Sequence, residues 1–358
     1  MIKHRGFTLI ELMLSLTLGL IITAAAILLF LASQRSLSMQ QGVSDIQDNA
    51  NFGLNFITRD LRLINLNNPE SIITDQTAYS GVVLTSSINA KKDTTTTPAT
   101  LLSNLNQTIV GTSANVNLLS RSNGMTAGNA PMWTGASNVQ IAGADILSDQ
   151  LVIQYLPPYV VDQKGTPTNE DDDIFIGGFD CEGNKLDFAV KQNSAKPTEP
   201  FGQQMVVQRY FLRVDANAGT NEPNQPLVLA CDAGFYPATG SPAEITNYGD
   251  AGEIIMKRVD HLRVLLGVQN ANNTRRYISV NDYLNLPVPH PRIVSIQMGL
   301  LTRSAQTVGV DNTIKNDQDF TVLDQTIKVK ATQNTTKYVR QVISQTVALR
   351  NAIGERGK

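Results

Sequence analysis

The chain has 358 residues, 42% of them hydrophobic and 17% charged, enough to bury one large core or two modest ones. Its 29 Lys and Arg against 31 Asp and Glu leave a formal charge of −2, which excludes a general attraction to nucleic acid or anionic lipid. Three histidines and two cysteines show no metal-ligand spacing, and neither a phosphate-binding glycine loop nor a serine elbow occurs, so no catalytic, cofactor-binding or metal residue is assigned.

The first segment carries the most information. Lys3, His4 and Arg5 form a short basic leader that ends at Gly6, and an apolar run begins at Phe7. Glu11 sits inside that run, and the next charge is Arg35. The 23 uncharged residues Leu12–Gln34 would span about 35 Å as a helix, enough for a hydrocarbon core of roughly 30 Å. The basic flank holds the N-terminal end in the cytoplasm and sends everything after Arg35 outward. A secretory signal peptide would have a shorter apolar region without an acid, followed by a small-residue cleavage site. Ala24–Ala26 or Ala32-Ser33 would have to serve as that site, and the run is too long with its polar signals at the wrong end.

An ionised carboxylate within a membrane helix costs about 2.5–3.5 kcal/mol at the centre and less near an end, so Glu11 marks either a function or tolerance near the headgroups. The leader, the Gly6-Phe7 junction and Glu11 together resemble the class III signal of type IV prepilins and type II secretion pseudopilins. That resemblance implies cleavage after Gly6 by a prepilin peptidase and N-methylation of Phe7. It also implies that Glu11 of one subunit pairs with the Phe7 amine of a neighbour during assembly.

The helix is predicted to continue past the membrane. Val43, Ile46, Ala50, Leu54, Ile57, Leu61 and Ile64 recur at spacings of three and four, an amphipathic stripe that Asn65–Pro69 ends. Beyond Pro69 the period becomes two. Leu151–Tyr155, Tyr210–Val214, Leu262–Val268, Val294–Leu300 and Val339–Leu349 read as half-buried, antiparallel strands. Ser86–Gly143 has the least pattern and reads as an insertion of long loops with a few short strands. Cys181 and Cys231 lie in the exported part, where an oxidising compartment favours a disulfide over two buried free thiols.

Several blocks in order resemble PilW-type minor pilins. They are Arg59–Arg62, Ser148–Tyr155, Asp180–Gly183, Gln208–Leu212, Leu229–Cys231, Val259–Gly267, Ile293–Ser304 and Val347–Asn351. The expected fold is α+β: a type IV pilin-like long N-terminal helix, transmembrane and then amphipathic, packed on an antiparallel β-sheet head with long loops. The expected organisation is a leader 1–6, a transmembrane or filament-core helix 7–34, its amphipathic continuation 35–66 and an extracytoplasmic head 67–358 with the insertion 86–143.

The resemblance implies a non-enzymatic minor pilin that primes and joins type IV pilus assembly in a low-copy, tip-proximal complex. Its partners would be other minor and major pilins, the prepilin peptidase and the inner-membrane assembly platform. Its place would be the Gram-negative inner membrane as a single-pass protein with a periplasmic head, and the extracellular pilus once assembled. The rivals are a J-like pseudopilin of type II secretion and a pilus-tip adhesin. Two surface features carry weaker readings: calcium binding by the acidic run Glu170–Asp173, and nucleic-acid contact by Arg275-Arg276-Tyr277. The first lacks the alternation and glycine of a calcium loop, and the second sits on an acidic chain, so nucleic-acid binding is not expected.

Overall fold

The computed structural model describes residues 8–68, 70–86, 92–93, 100–101, 103–105, 117–128, 133–165, 172–191, 201–219, 222, 224–239, 244–308, 314–315, 318–330 and 337–352. A single helix, α1 (Leu9–Leu61, 53 residues), opens the fold. The strands follow as β1 (Lys92–Asp93), β2 (Thr100–Leu101), β3 (Val139–Ile141), β4 (Ala144–Asp145), β5 (Leu151–Tyr155), β6 (Val160–Asp162), β7 (Ile174–Phe179) and β8 (Lys185–Ala189). Next come β9 (Gln204–Val214), β10 (Leu227–Pro237), β11 (Glu253–Lys257), β12 (Val259–Gln269), β13 (Arg275–Ile278) and the short helix α2 (Val280–Leu284). The chain closes with β14 (Arg292–Arg303), β15 (Asp319–Val322), β16 (Gln325–Val329) and β17 (Arg340–Ala348).

Two four-stranded sheets dominate the head, in orders β11-β10-β9-β5 and β13-β12-β14-β17. All strand pairings within the sheets are antiparallel. The main core lies between the two. Leu151, Tyr210, Leu212 and Leu229 from the first sheet meet Leu262, Val264, Leu266, Ile296 and Leu300 from the second. Two smaller sheets, β15-β16-β3-β4 and β6-β7-β8, cover parts of their outer surfaces.

α1 meets this head at a seam. It touches β11, the edge of the first sheet, and β17, the edge of the second, as well as β14. Covering two edges with one helix also removes open templates for foreign strands. The side chain of Asn49 donates to the Lys257 carbonyl at 2.7 Å, binding the helix to the β11 backbone.

The buried face of α1 is Gly42, Ile46, Ala50, Gly53, Leu54, Ile57, Asp60 and Leu61. The sequence stripe contains five of these, whereas Val43 is only half-buried. Gly42 and Gly53 escape a hydrophobicity pattern because their role is close approach. A Cβ on Gly53 would lie 2.5 Å from Met256 Cε, and one on Gly42 would lie 3.2 Å from Ser304 Cβ. The helix stops at Leu61, a few residues before the expected end, and Asn65 then takes φ 62°, a left-handed conformation asparagine tolerates. Asn65 and Asn351 stitch this end down: Asn351 Nδ2 donates to the Ile64 carbonyl, and Gly81 N–H donates to Asn65 Oδ1.

All five sequence-read strands are present, but the long ones are not half-buried. Every residue of β12 is buried, and so are Met205–Leu212 in β9. For β9 the reason is a second layer. Val83, Leu105, Leu118 and Leu119 pack with Val152, Val207 and Tyr236 on the outer face of the first sheet. The described parts of the 86–143 segment therefore include a lid over that sheet. β10 gave no period-two signal because its apolar run Leu227–Ala230 is continuous and Asp232 and Gly234 interrupt the remainder of the strand.

Candidate assembly interface

The N-terminal half of α1 is the most unusual surface of the molecule. Every residue from Thr8 to Leu37 is exposed, including Leu9 at 79% and Leu29 at 73%. A helix apolar all round, long enough to cross a bilayer and devoid of intramolecular cover, needs lipid or other helices around it.

Glu11 lies in the first turn. The Thr8 hydroxyl oxygen accepts the Glu11 N–H at 3.3 Å, and the Glu11 carboxylate accepts the Thr8 N–H at 3.0 Å and its hydroxyl at 2.9 Å. This is a reciprocal capping box. Its signature, Thr8-Leu9-Ile10-Glu11, is legible in the sequence. The carboxylate thus has a local role within one chain, at the helix end where the macrodipole favours negative charge. Gly6 and Phe7, the expected processing junction, lie outside the described residues.

Where α1 enters the head, polar groups are buried with partners. Tyr210 Oη donates to Asp60 Oδ2 at 2.8 Å, and Arg59 Nε lies 3.2 Å from Asp60 Oδ1. Burial nonetheless pushes the Asp60 carboxyl above its ordinary range, against the pull of Tyr210 and Arg59. Cys181 and Cys231 are joined as a disulfide with Cα atoms 6.2 Å apart, linking the turn after β7 to β10. The turn itself is shaped by Asp180, whose Oδ1 accepts the N–H groups of Glu182 at 2.9 Å and Asn184 at 2.8 Å.

Charged residues in the sequence blocks serve the same structural end. Arg209 and Asp232 are fully buried directly across β9 and β10, 2.7 Å apart, with Arg209 stacked 4.0 Å over Phe211. Asp149 accepts the Val264 N–H at 2.7 Å and pairs with Arg263, which also reaches Asp324. Asp260 pairs with Arg340 at 2.8 Å and with Arg303, which also bonds Glu222. Removing one partner of such pairs leaves a buried charge, so they hold β9 to β10, the segment before β5 to β12, and β12 to β14 and β17.

His261 alternates with the apolar residues of β12, on the face that the sequence pattern marks as polar. It lies on the side of β12 opposite Leu262, but that side is covered, and His261 is fully buried beside Ser137, Ser148 and Gln325. Burial lowers its pKa to about 4, which keeps the ring neutral, and the Ser148 hydroxyl at 3.1 Å is equally inaccessible to a substrate. His290 is buried as well, 2.7 Å from Asp75. Arg275, Arg276 and Tyr277 are exposed on β13. Of the acidic run, Glu170 and Asp171 lie outside the described residues.

Residues 214–351 match the family described as Type IV Pilus-assembly protein W, and residues 1–27 match the prokaryotic N-terminal methylation motif. The C-terminal part of the chain is thus similar to PilW-type pilus-assembly proteins, and its N-terminus to the methylation motif. The PilW-matching segment runs from the last residue of β9 to the turn after β17, so it takes in the whole second sheet, Cys231 and the Asp260–Arg303–Arg340 cluster. Among solved structures, a type IV-like pilin from Thermus thermophilus aligns over 57% of this chain and 78% of its own, at 10% identity and a TM-score of 0.21, an overlap too loose to carry any argument about the head. No curated protein matches the sequence. The apolar helix α1 fits membrane association and contact with other pilins.

Proposed function

We propose that this protein is a PilW-type minor pilin that primes type IV pilus assembly and joins a tip-proximal complex with other minor pilins. The observation that carries the reading is the uncovered apolar stretch Leu9–Leu37 on a chain whose head matches pilus-assembly proteins. Before assembly the stretch sits in a Gram-negative inner membrane, with the head in the periplasm. A prepilin peptidase removes residues 1–6 and methylates Phe7, and the assembly platform then extracts the helix. Glu11 exchanges part of its contact with Thr8 for the Phe7 amine of a neighbouring subunit, which neutralises two charges in a desolvated filament core. A head of this size fits poorly in a repeated shaft, which favours low copy number.

Deleting the gene tests the reading. Surface pili should be lost, and also blocking retraction should restore some of them, because a primer sets how often filaments start. Unchanged piliation would overturn the assembly role. Lost protein secretion with normal pili would point to the pseudopilin alternative, and normal pili with lost attachment to a tip adhesin. Mass spectrometry of the mature chain should find methylated Phe7 at its N-terminus, whereas an intact Met1 would remove the processing step.

A further inference from the structure

Beside the point where α1 joins the head lies an open groove of about 430 Å³. Phe52 and Phe56, one turn apart on α1, form one wall, Ile255 of β11 contributes a second, and Phe179 stands across from them at the end of β7. Phe52 is 72% exposed and Phe179 60%. Single exposed apolar residues are ordinary, but aromatic side chains from separate elements converging on one groove are the usual mark of a contact surface.

The chain reaches this arrangement through a bulge. The β7–β8 register shifts between Ile176 and Phe179, with Gly178 at φ 91°, a conformation open chiefly to glycine. Bulges re-aim side chains, and this one leaves Phe179 facing solvent instead of the core. The groove's rim is acidic. Asp180, Glu182 and Glu253 line it, and Arg59, stacked 4.9 Å from Phe56, is the lining cation. Burial and the nearby Asp232, Asp250 and Asp180 raise the Glu182 pKa to about 7, as expected of a carboxylate in a negative field.

We propose that this groove is the head's docking site for a different pilin subunit, which inserts an apolar or aromatic side chain flanked by Lys or Arg. The proposal rests on the pilus-assembly reading and locates one contact within it. Two observations choose the occupant. The groove wall is α1 itself, about 30 Å beyond Leu31 at the helical rise, so a subunit running alongside the membrane half carries its own head to this height. A second copy related by a two-fold axis would set the Glu182 and Glu253 of both chains against each other, whereas a basic partner relieves them.

Photo-crosslinking of the full chain in its own cells tests this, with p-benzoylphenylalanine placed in turn at Phe52, Phe179, Leu16 and Asn272. Positions 52 and 179 should yield adducts whose peptides belong to another pilin, position 16 should do the same through the membrane half, and the exposed loop position 272 should yield none. Glu253→Lys should cut the adducts at 52 and 179 by at least about tenfold while leaving position 16 unchanged. Glu253 is exposed, so the melting temperature of the head should not move. Silence or a second copy at 52 and 179, with pilin adducts at 16, would overturn the groove and leave the assembly reading standing. Silence at 16 as well would overturn both, and adducts indifferent to Glu253→Lys would overturn the basic partner.

Discussion

The two halves of α1 are one continuous helix in two different solvents. From Leu9 to Leu37 nothing is buried, and Leu, Ile and Ala face every direction. From Gly42 to Leu61 one face is buried in the seam between two sheets, with glycines where the backbone must come close and Asp60 where its carboxylate accepts the Tyr210 hydroxyl. Within the monomer, the second half gains stability from its own head. The first gains almost none and depends on what surrounds it. A lesion in the first half should therefore be silent in folding and visible in assembly, whereas a lesion on the buried face of the second half should show first in folding.

The largest expected effect comes from Glu11→Gln. Glutamine can still complete the capping box, so insertion, cleavage and head stability should be unchanged. If Glu11 pairs with a neighbour's amine, the lost charge should weaken association with other pilins by leaving that amine uncompensated in the assembled filament. Co-purification from membranes and a piliation count measure it, and wild-type pairing by the variant would make the carboxylate a cap and nothing more.

Cys231→Ser sharpens the other side of the comparison. Opening a loop with a sequence separation of 50 should lower head stability by about 4 kcal/mol, read by denaturant melting. N-terminal processing should be untouched, because the lesion lies entirely in the head. Ile57→Ala, in the buried half of the helix, should cost about 2–5 kcal/mol in the same assay. Leu20→Ala, a comparable truncation on the exposed half, should stay within about 0.5 kcal/mol. Equal effects of these two would erase the distinction between the halves.

The smallest effect is a pH dependence at the seam. Glu182 has its folded pKa raised to about 7 from the ordinary 4.5. A raised acid favours the fold fully below its unfolded pKa and loses that contribution as pH climbs through the folded value. Its contribution should therefore make the head more stable at pH 5 than at pH 8. Glu182→Gln should flatten the profile in that window by less than about 1 kcal/mol, since the side chain is partly screened by solvent. A steeper profile in the variant would reverse the sign.

The local features needed no tertiary information. The basic leader, Gly6, Phe7 and Glu11 stand within a few residues of each other, and the length of the apolar run follows from bilayer thickness. The stripe Ile46, Ala50, Leu54, Ile57 and Leu61 is legible because a 3.6-residue period brings it to one face. Alternation revealed β5, β9, β12, β14 and β17, each with inward residues two apart. The sequence also pointed to a pairing of the two cysteines, and the structure joins them.

What alternation could not reveal is which polar groups are buried. Arg209 and Asp232 are read as surface charges until β9 and β10 lie in register and set them opposite each other. His261 falls off the apolar face and so reads as solvated, yet a second layer of chain covers it. Gly42 and Gly53 carry no hydrophobic signal, because what they provide is the absence of a side chain at a contact. Periodicity records which side chains gain by leaving water, and that property belongs to each residue alone. Burying a charge or closing a gap requires a partner at a set distance, and the partners here come from strands and loops far away in the chain, so only the tertiary structure could decide them.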